Sequence, residues 1–163
     1  MRKGPGLPLV QYLLAHIHDI VALQTEERSG MARAKPTIMV VDDDPSFLPA
    51  VVRLIRTGGY DAHGFGTIAD LRSALPFPHK SCVLADVVLH GESGLEIPEI
   101  LRTQGEPAAI VFMSATEDRD KIEVASSLGA VPCLKKPVEA AVLFDALEIA
   151  LRGNPEMPDV NHQ

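Results

Sequence analysis

Residues 37–45 read Thr37-Ile38-Met39-Val40-Val41-Asp42-Asp43-Asp44-Pro45. Five uncharged, mostly apolar and β-branched residues run into three consecutive acids and then a proline. A run this short and this apolar is the pattern of a strand buried on both faces, as in a parallel sheet. Asp44-Pro45 is a helix start: an N-cap acid followed by proline at the first helical position. The stretch therefore predicts a buried strand that ends in an acidic cluster and turns at once into a helix.

Outward from it, the same alternation recurs. Apolar runs stand at 37–41, 60–65, 82–85, 108–113 and 131–134. Helix-period segments stand at 45–57, 67–75, 94–103, 117–128 and 139–151. The first places Phe47, Leu48, Val51, Val52 and Ile55 on one stripe; the last does so with Val142, Leu143, Ala146, Leu147, Ile149 and Ala150. Gly58-Gly59 ends the first helix, Thr67 caps the second, and Gly129 closes the fourth. Pro49 and Pro98 fall near helix starts, where a mild kink is expected. Five β-then-α units imply an α/β fold, a parallel sheet covered by helices on both faces.

The chain has 163 residues, enough for one ordinary domain with a full core. Its net charge of −7 disfavours non-specific binding to nucleic acid or anionic membrane. Residues 1–35 carry five Lys/Arg and three Asp/Glu, a net of +2. They stand outside the β/α alternation and read as an N-terminal extension, helical over 9–23 or dispensable, with Met31 a plausible alternative start. Residues 36–152 form the domain, and 153–163 read as a disordered tail. Too few residues remain after Leu151 for a second core, so a stand-alone domain is expected. Cys82 and Cys133 sit in apolar runs and read as buried free thiols. No stretch reaches about 18 apolar residues, the length of a membrane span. The expected location is cytoplasmic.

In a doubly wound parallel sheet the site lies at the carboxyl ends of the strands. The first run ends in Asp42-Asp43-Asp44, the third in Asp86, the fourth in Ser114, and the fifth in Lys135-Lys136-Pro137. Three carboxylates, a hydroxyl and an ammonium would converge on one crevice. Crowded carboxylates repel one another, and a hard divalent cation such as Mg²⁺, which prefers oxygen ligands and phosphate, relieves that repulsion. Such a site suits phosphoryl transfer, with a carboxylate as nucleophile. Because a strand alternates its side chains, only one of Lys135 and Lys136 can face the crevice.

Four stretches together carry a resemblance: residues 38–45, Val83-Leu84-Ala85-Asp86 with Ser93-Gly94-Leu95-Glu96, Val111-Phe112-Met113-Ser114-Ala115, and Gly129-Ala130 with Lys135-Lys136-Pro137. In this order and spacing the chain resembles the receiver domains of response regulators in two-component signalling, over about residues 36–152. The resemblance implies a flavodoxin-like (βα)5 fold with strand order 2-1-3-4-5, and a signalling module rather than an enzyme. It implies Asp86 as the phosphoacceptor, Ser114 as the switch hydroxyl and Lys136 as the active-site lysine. Mg²⁺ would be held by Asp43, by Asp86, by the carbonyl of Val88, and by Asp42 through water. The implied partners are a sensor histidine kinase or histidine phosphotransfer protein and a downstream protein target. A homodimer through the face of 117–128, the fifth strand and 139–151 is also implied. Nucleic acid and membrane are not expected partners.

The chain departs from the family's pattern at three places. Leu89-His90 stands where many relatives have Met-Pro, with His90 expected as a surface loop histidine. Cys133 replaces the aromatic switch residue. Val88 occupies a position that tunes hydrolysis of the phosphoaspartate, and its apolar side chain predicts slow autodephosphorylation. Two other readings compete. One is a degenerate, phosphorylation-independent receiver-like interaction module. The other is a dinucleotide-binding enzyme, because Gly64-Phe65-Gly66-Thr67-Ile68-Ala69 fits the G-x-G-x-x-G/A pattern, with Asp86 about 20 residues on. The plain alternative for those glycines is a strand-to-helix turn.

Overall fold

The computed structural model describes residues 34–78 and 80–153. The expected N-terminal helix lies outside the described residues, as does the expected C-terminal tail after Gly153, which is itself helical. Among the described residues the chain from Lys35 forms one compact unit.

Among the described residues a five-stranded parallel sheet forms from β1 (Thr37–Val41), β2 (Asp61–Phe65), β3 (Ser81–Asp86), β6 (Ala109–Ser114) and β7 (Leu134–Lys135), in the order β2-β1-β3-β6-β7. Counting only these five, the order is the expected 2-1-3-4-5. A hairpin that periodicity gave no hint of, β4 (Val88–Leu89) with β5 (Glu92–Ser93), follows β3. The helices are α1 (Phe47–Thr57), α2 (Ile68–Ser73), α3 (Ile97–Thr103), α4 (Arg119–Leu128) and α5 (Ala140–Gly153).

Every residue of β1 and β3 is buried, as the unbroken apolar runs require. Alternation sends Ile38, Val40, Cys82 and Leu84 to one face, where Val52 and Ile55 of α1 and Leu143 and Leu147 of α5 close over them. Met39, Val41, Val83 and Ala85 face the other way, against Ile68 and Leu71 of α2, Ile97 and Leu101 of α3 and Ala125 of α4. Burying one such aliphatic side chain contributes about 1.5–3 kcal/mol, so these two layers hold the sheet. From β1 the chain steps outward to β2 and then returns to β3 on the other side. This reversal opens a crevice at the carboxyl ends of β1 and β3.

Several boundaries differ from the sequence reading. α1 begins at Phe47, but Leu48 already donates to the Asp44 carbonyl at 3.0 Å, and the Asp44 carboxylate accepts from Ser46 and Phe47. Asp44 therefore caps the helix, with Pro45 in the entering turn. The expected helix over 94–103 opens as a 3-10 turn, Gly94–Glu96, before α3, and Pro98 sits in the first turn of α3. The fifth strand shrinks to two residues. Pro132 has no N–H to give a ladder, and the N–H of Cys133 goes to Ser126 Oγ at 3.0 Å. Only Cys82 of the two thiols is fully buried; Cys133 is half-buried. Among the described residues no helix is long and apolar enough to cross a membrane.

Candidate functional site

Asp42 follows the last residue of β1 and Asp86 ends β3, so strand pairing sets them side by side. Asp42 is fully buried and Asp86 nearly so. Lys136 reaches between them: its Nζ lies 2.5 Å from Asp42 Oδ2 and 2.7 Å from Asp86 Oδ2. The Lys136 main chain is fixed by its N–H donating to the Ser114 carbonyl at 2.9 Å. Lys136 turns inward while its neighbour Lys135 is exposed. Burial opposes the lysine's charge, but its hydrogen bonds to Asp42 and Asp86 outweigh that and push its pKa above the ordinary lysine value.

Each carboxylate is also held by main-chain donors. Asp42 Oδ1 accepts from Asp44 N at 2.9 Å, and Asp86 Oδ1 from Val88 N at 2.9 Å. Asp43 Oδ2 accepts from the His90 main-chain N–H at 2.7 Å and lies 2.9 Å from His90 Nδ1. Burial would raise the Asp43 pKa, but the His90 hydrogen bonds outweigh it and hold the carboxyl below its usual range. Ser114 is buried at the end of β6, and its hydroxyl accepts from Thr116 N at 3.0 Å. Among the described residues no buried side-chain nitrogen or oxygen lacks a partner.

Asp42, Asp43 and Asp86 each offer an oxygen within 4.8 Å of the other two. At that separation each pair of ionised carboxylates repels by about 3.5 kcal/mol at an effective dielectric of about 20. Lys136 supplies one ammonium against three acids, so the cluster keeps negative charge to be neutralised. An all-oxygen donor set of this charge fits a hard divalent cation. Asp42 and Asp86 both carry hydrogen bonds on each oxygen, and Asp42 is the more deeply buried, so it is the least open of the three to a direct bond.

Gly94 sets the depth of the crevice. A Cβ on it would stand 1.9 Å from the Asp86 carbonyl oxygen, so only glycine lets the chain pass behind the acid. Its N–H donates to the Val87 carbonyl at 3.0 Å, and Val87 N donates to the Met113 carbonyl at 2.9 Å. These bonds tie the segment after Asp86 to β6.

The profile of the response regulator receiver domain matches residues 38–148. The chain belongs to that family. Receiver domains are signalling modules of two-component systems. This one is 32% identical over 127 residues to the transcriptional regulatory protein TdiR of Thauera aromatica, a match covering 78% of this chain and 56% of that protein. It is 31% identical over 118 residues to FixJ of Bradyrhizobium diazoefficiens, covering 72% of this chain and 58% of that protein. The receiver thus spans little more than half the length of these curated relatives. Among solved structures it resembles the response regulator StyR, with 35% identity, a TM-score of 0.66, and coverage of 74% of this chain and 61% of that one. Full-length FixJ from B. japonicum gives 31% identity and a TM-score of 0.65, covering 73% of this chain and 59% of that one.

The structure thus brings together Asp42, Asp43, Asp86, Val88 and Lys136, with Ser114 joined to Lys136 through the main chain. Sequence reasoning placed Phe47 on the core stripe, and the half-buried side chain does pack against that core. It missed two contacts: His90 with Asp43, and the Phe47 ring with Lys136, 4.2 Å from Nζ to the ring centroid. The glycines of the dinucleotide pattern have another job. Carbon added at Gly64 would meet Leu48 and Val52 at 3.1–3.2 Å, so Gly64 spaces β2 against α1, and α2 behind it is only six residues long.

Proposed function

We propose that this receiver accepts a phosphoryl group on Asp86 from a phosphohistidine of a sensor kinase or phosphotransfer protein. The observation that carries the reading is Lys136 bridging Asp42 and Asp86 beside Asp43, at the strand ends where the sheet reverses. An Asp86 carboxylate oxygen forms a P–O bond as the donor's P–N bond breaks. The electron pair stays on the imidazole nitrogen, and the ring, protonated on its other nitrogen, leaves neutral. Mg²⁺ held by Asp43, Asp86 and the Val88 carbonyl, with Asp42 acting through water, would neutralise charge on the phosphoryl oxygens. Lys136 stays protonated and supplies a cation to the same oxygens. The Ser114 hydroxyl already accepts from Thr116 N, so its own proton remains to be donated to the phosphoryl group.

Output follows from a shift in population of the loop after β6 and of the face made by α4, β7 and α5. α4 buries only Ala125 fully, so it is lightly anchored. Val124 and Leu128 on α4 and Val142 and Ile149 on α5 are exposed. They supply apolar surface for a downstream protein or a second copy. With Cys133 in place of an aromatic ring, the bond from Cys133 N, just before β7, to Ser126 Oγ ties that end of β7 to α4, and a shift of α4 would act on it. Cys133 also favours a second reading, a module that works without phosphorylation. Incubation with Mg²⁺ and acetyl phosphate, read by intact mass, separates the two.

A further inference from the structure

The Lys136 ammonium has three protons. Two directions are taken by Asp42 Oδ2 at 2.5 Å and Asp86 Oδ2 at 2.7 Å. Another side of the ammonium lies over the Phe47 ring, 4.2 Å from its centroid. An ammonium this close to an aromatic face is attracted by the ring's quadrupole, more strongly where water is excluded, and the Lys136 side chain is only 13% exposed. The ring is carried on held backbone and packs against the core. The Phe47 N–H is held by Asp44 Oδ1 at 3.0 Å, so the loop that carries the acidic pair also carries the ring.

We propose that Phe47 is a positioning residue for phosphoryl transfer, its ring face holding the Lys136 ammonium at the edge of Asp86 where the phosphoryl oxygens arrive. This rests on the phosphoacceptor reading. Once Asp86 is phosphorylated to the acyl phosphate, its carboxyl offers the lysine no charge of its own, and the negative charge lies farther out on the phosphoryl oxygens. A lysine with a flexible four-carbon stem could then follow Asp42 or turn to water. With the ring on one side of the ammonium and Asp42 on another, the direction that Asp86 gave up is left to the phosphoryl oxygens. With acetyl phosphate as donor, the Asp86 O–P bond forms as the P–O bond to acetate breaks. Acetate leaves with the electron pair, so the lysine contributes charge and moves no proton.

The test compares the full chain with Phe47→Leu, apolar but without a π face, and Phe47→Tyr, which keeps the face. Without phosphodonor, ring currents should shift the Lys136 ε-methylene protons upfield in the wild type and in Phe47→Tyr, and the shift should vanish in Phe47→Leu. With saturating Mg²⁺ and varied acetyl phosphate, Phe47→Leu should lose about fivefold in maximal phosphorylation rate at an unchanged half-saturating concentration. Phe47→Tyr should stay within about twofold of the wild type, as less than the whole cation–π contribution is lost. A Leu variant as fast as the wild type, or a Tyr variant as slow as the Leu variant, overturns the role of Phe47 alone. No phosphoryl uptake by the wild type overturns the phosphoacceptor reading and this role with it.

Discussion

Replacing Gly94 by alanine would put a methyl carbon 1.9 Å from the carbonyl oxygen of Asp86. Real contacts of this kind stay beyond 3.0 Å, so the backbone must open by about 1 Å, and the obstacle is main chain rather than a side chain that could swing away. Overpacking of that order costs about 1–3 kcal/mol. Loss of the Gly94 N–H to Val87 hydrogen bond adds about 1 kcal/mol. The expected destabilisation is therefore roughly 2–4 kcal/mol, within the 5–15 kcal/mol that hold a typical domain together. Gly91→Ala is the contrast. Nothing lies within 4 Å of its Cβ, but its φ of +74° is left-handed, so only backbone strain of about 1 kcal/mol is expected. Urea titration followed by far-UV circular dichroism reads both. Because the displaced group is the phosphoacceptor's own backbone, Gly94→Ala should also slow phosphorylation by acetyl phosphate, whereas Gly91→Ala should not. A Gly94→Ala protein within about 0.5 kcal/mol of the wild type, the range of ordinary surface changes, would refute the close-approach argument.

Lys136→Met should leave Asp42 and Asp86 facing each other without a cation and cost about 3–5 kcal/mol in chelator, part of it recovered with millimolar Mg²⁺; equal stability of variant and wild type in chelator would contradict the bridging geometry. The raised lysine pKa gives a pH signature with a definite sign. The stability the bridge confers is fully present below the ordinary lysine value of 10.5 and is lost as pH rises through the higher folded value, so alkaline unfolding of the wild type should show a component missing from Lys136→Met. Burial pushes the Cys82 thiol up to about 12, and burial followed by the nearby Asp86 charge raises that of half-buried Cys133. A thiol reagent at pH 8 should label Cys133 slowly and Cys82 only on unfolding; two fast thiols would be wrong for this core. Val88, exposed beside Asp86, cannot align a water by hydrogen bonding, so Val88→Asn should shorten the lifetime of the phosphorylated protein, measured by loss of the phosphoryl mass.

What the sequence showed of the fold came from features that act locally. The run Thr37–Val41 is buried throughout because four of its five side chains are apolar and it pairs with a strand on each side, and Asp44-Pro45 starts a helix because the acid caps it and a proline's missing N–H costs nothing there. The fifth strand was misjudged because its length depends on a partner elsewhere: Ser126 takes the N–H of Cys133 that a ladder would have used. The acids were legible because strand ends in this topology converge; alternation admitted only one of Lys135 and Lys136 to the crevice, and the resemblance to receiver domains chose Lys136. His90 on Asp43 and Phe47 under Lys136 were not legible. The first joins residues 47 positions apart through a hairpin that has no periodicity, and the second needs the direction of a lysine side chain 89 residues away. An aromatic at the start of an amphipathic helix reads as core from spacing alone, and Phe47 does pack there; spacing says nothing of the ammonium that its ring also meets.

The most direct test of the account is intact-mass spectrometry of the purified chain after incubation with Mg²⁺ and acetyl phosphate, alongside Asp86→Ala. The account predicts the gain of one phosphoryl group in the wild type, dependent on the divalent cation and absent from the variant. No gain in the wild type, or an equal gain in Asp86→Ala, would contradict it.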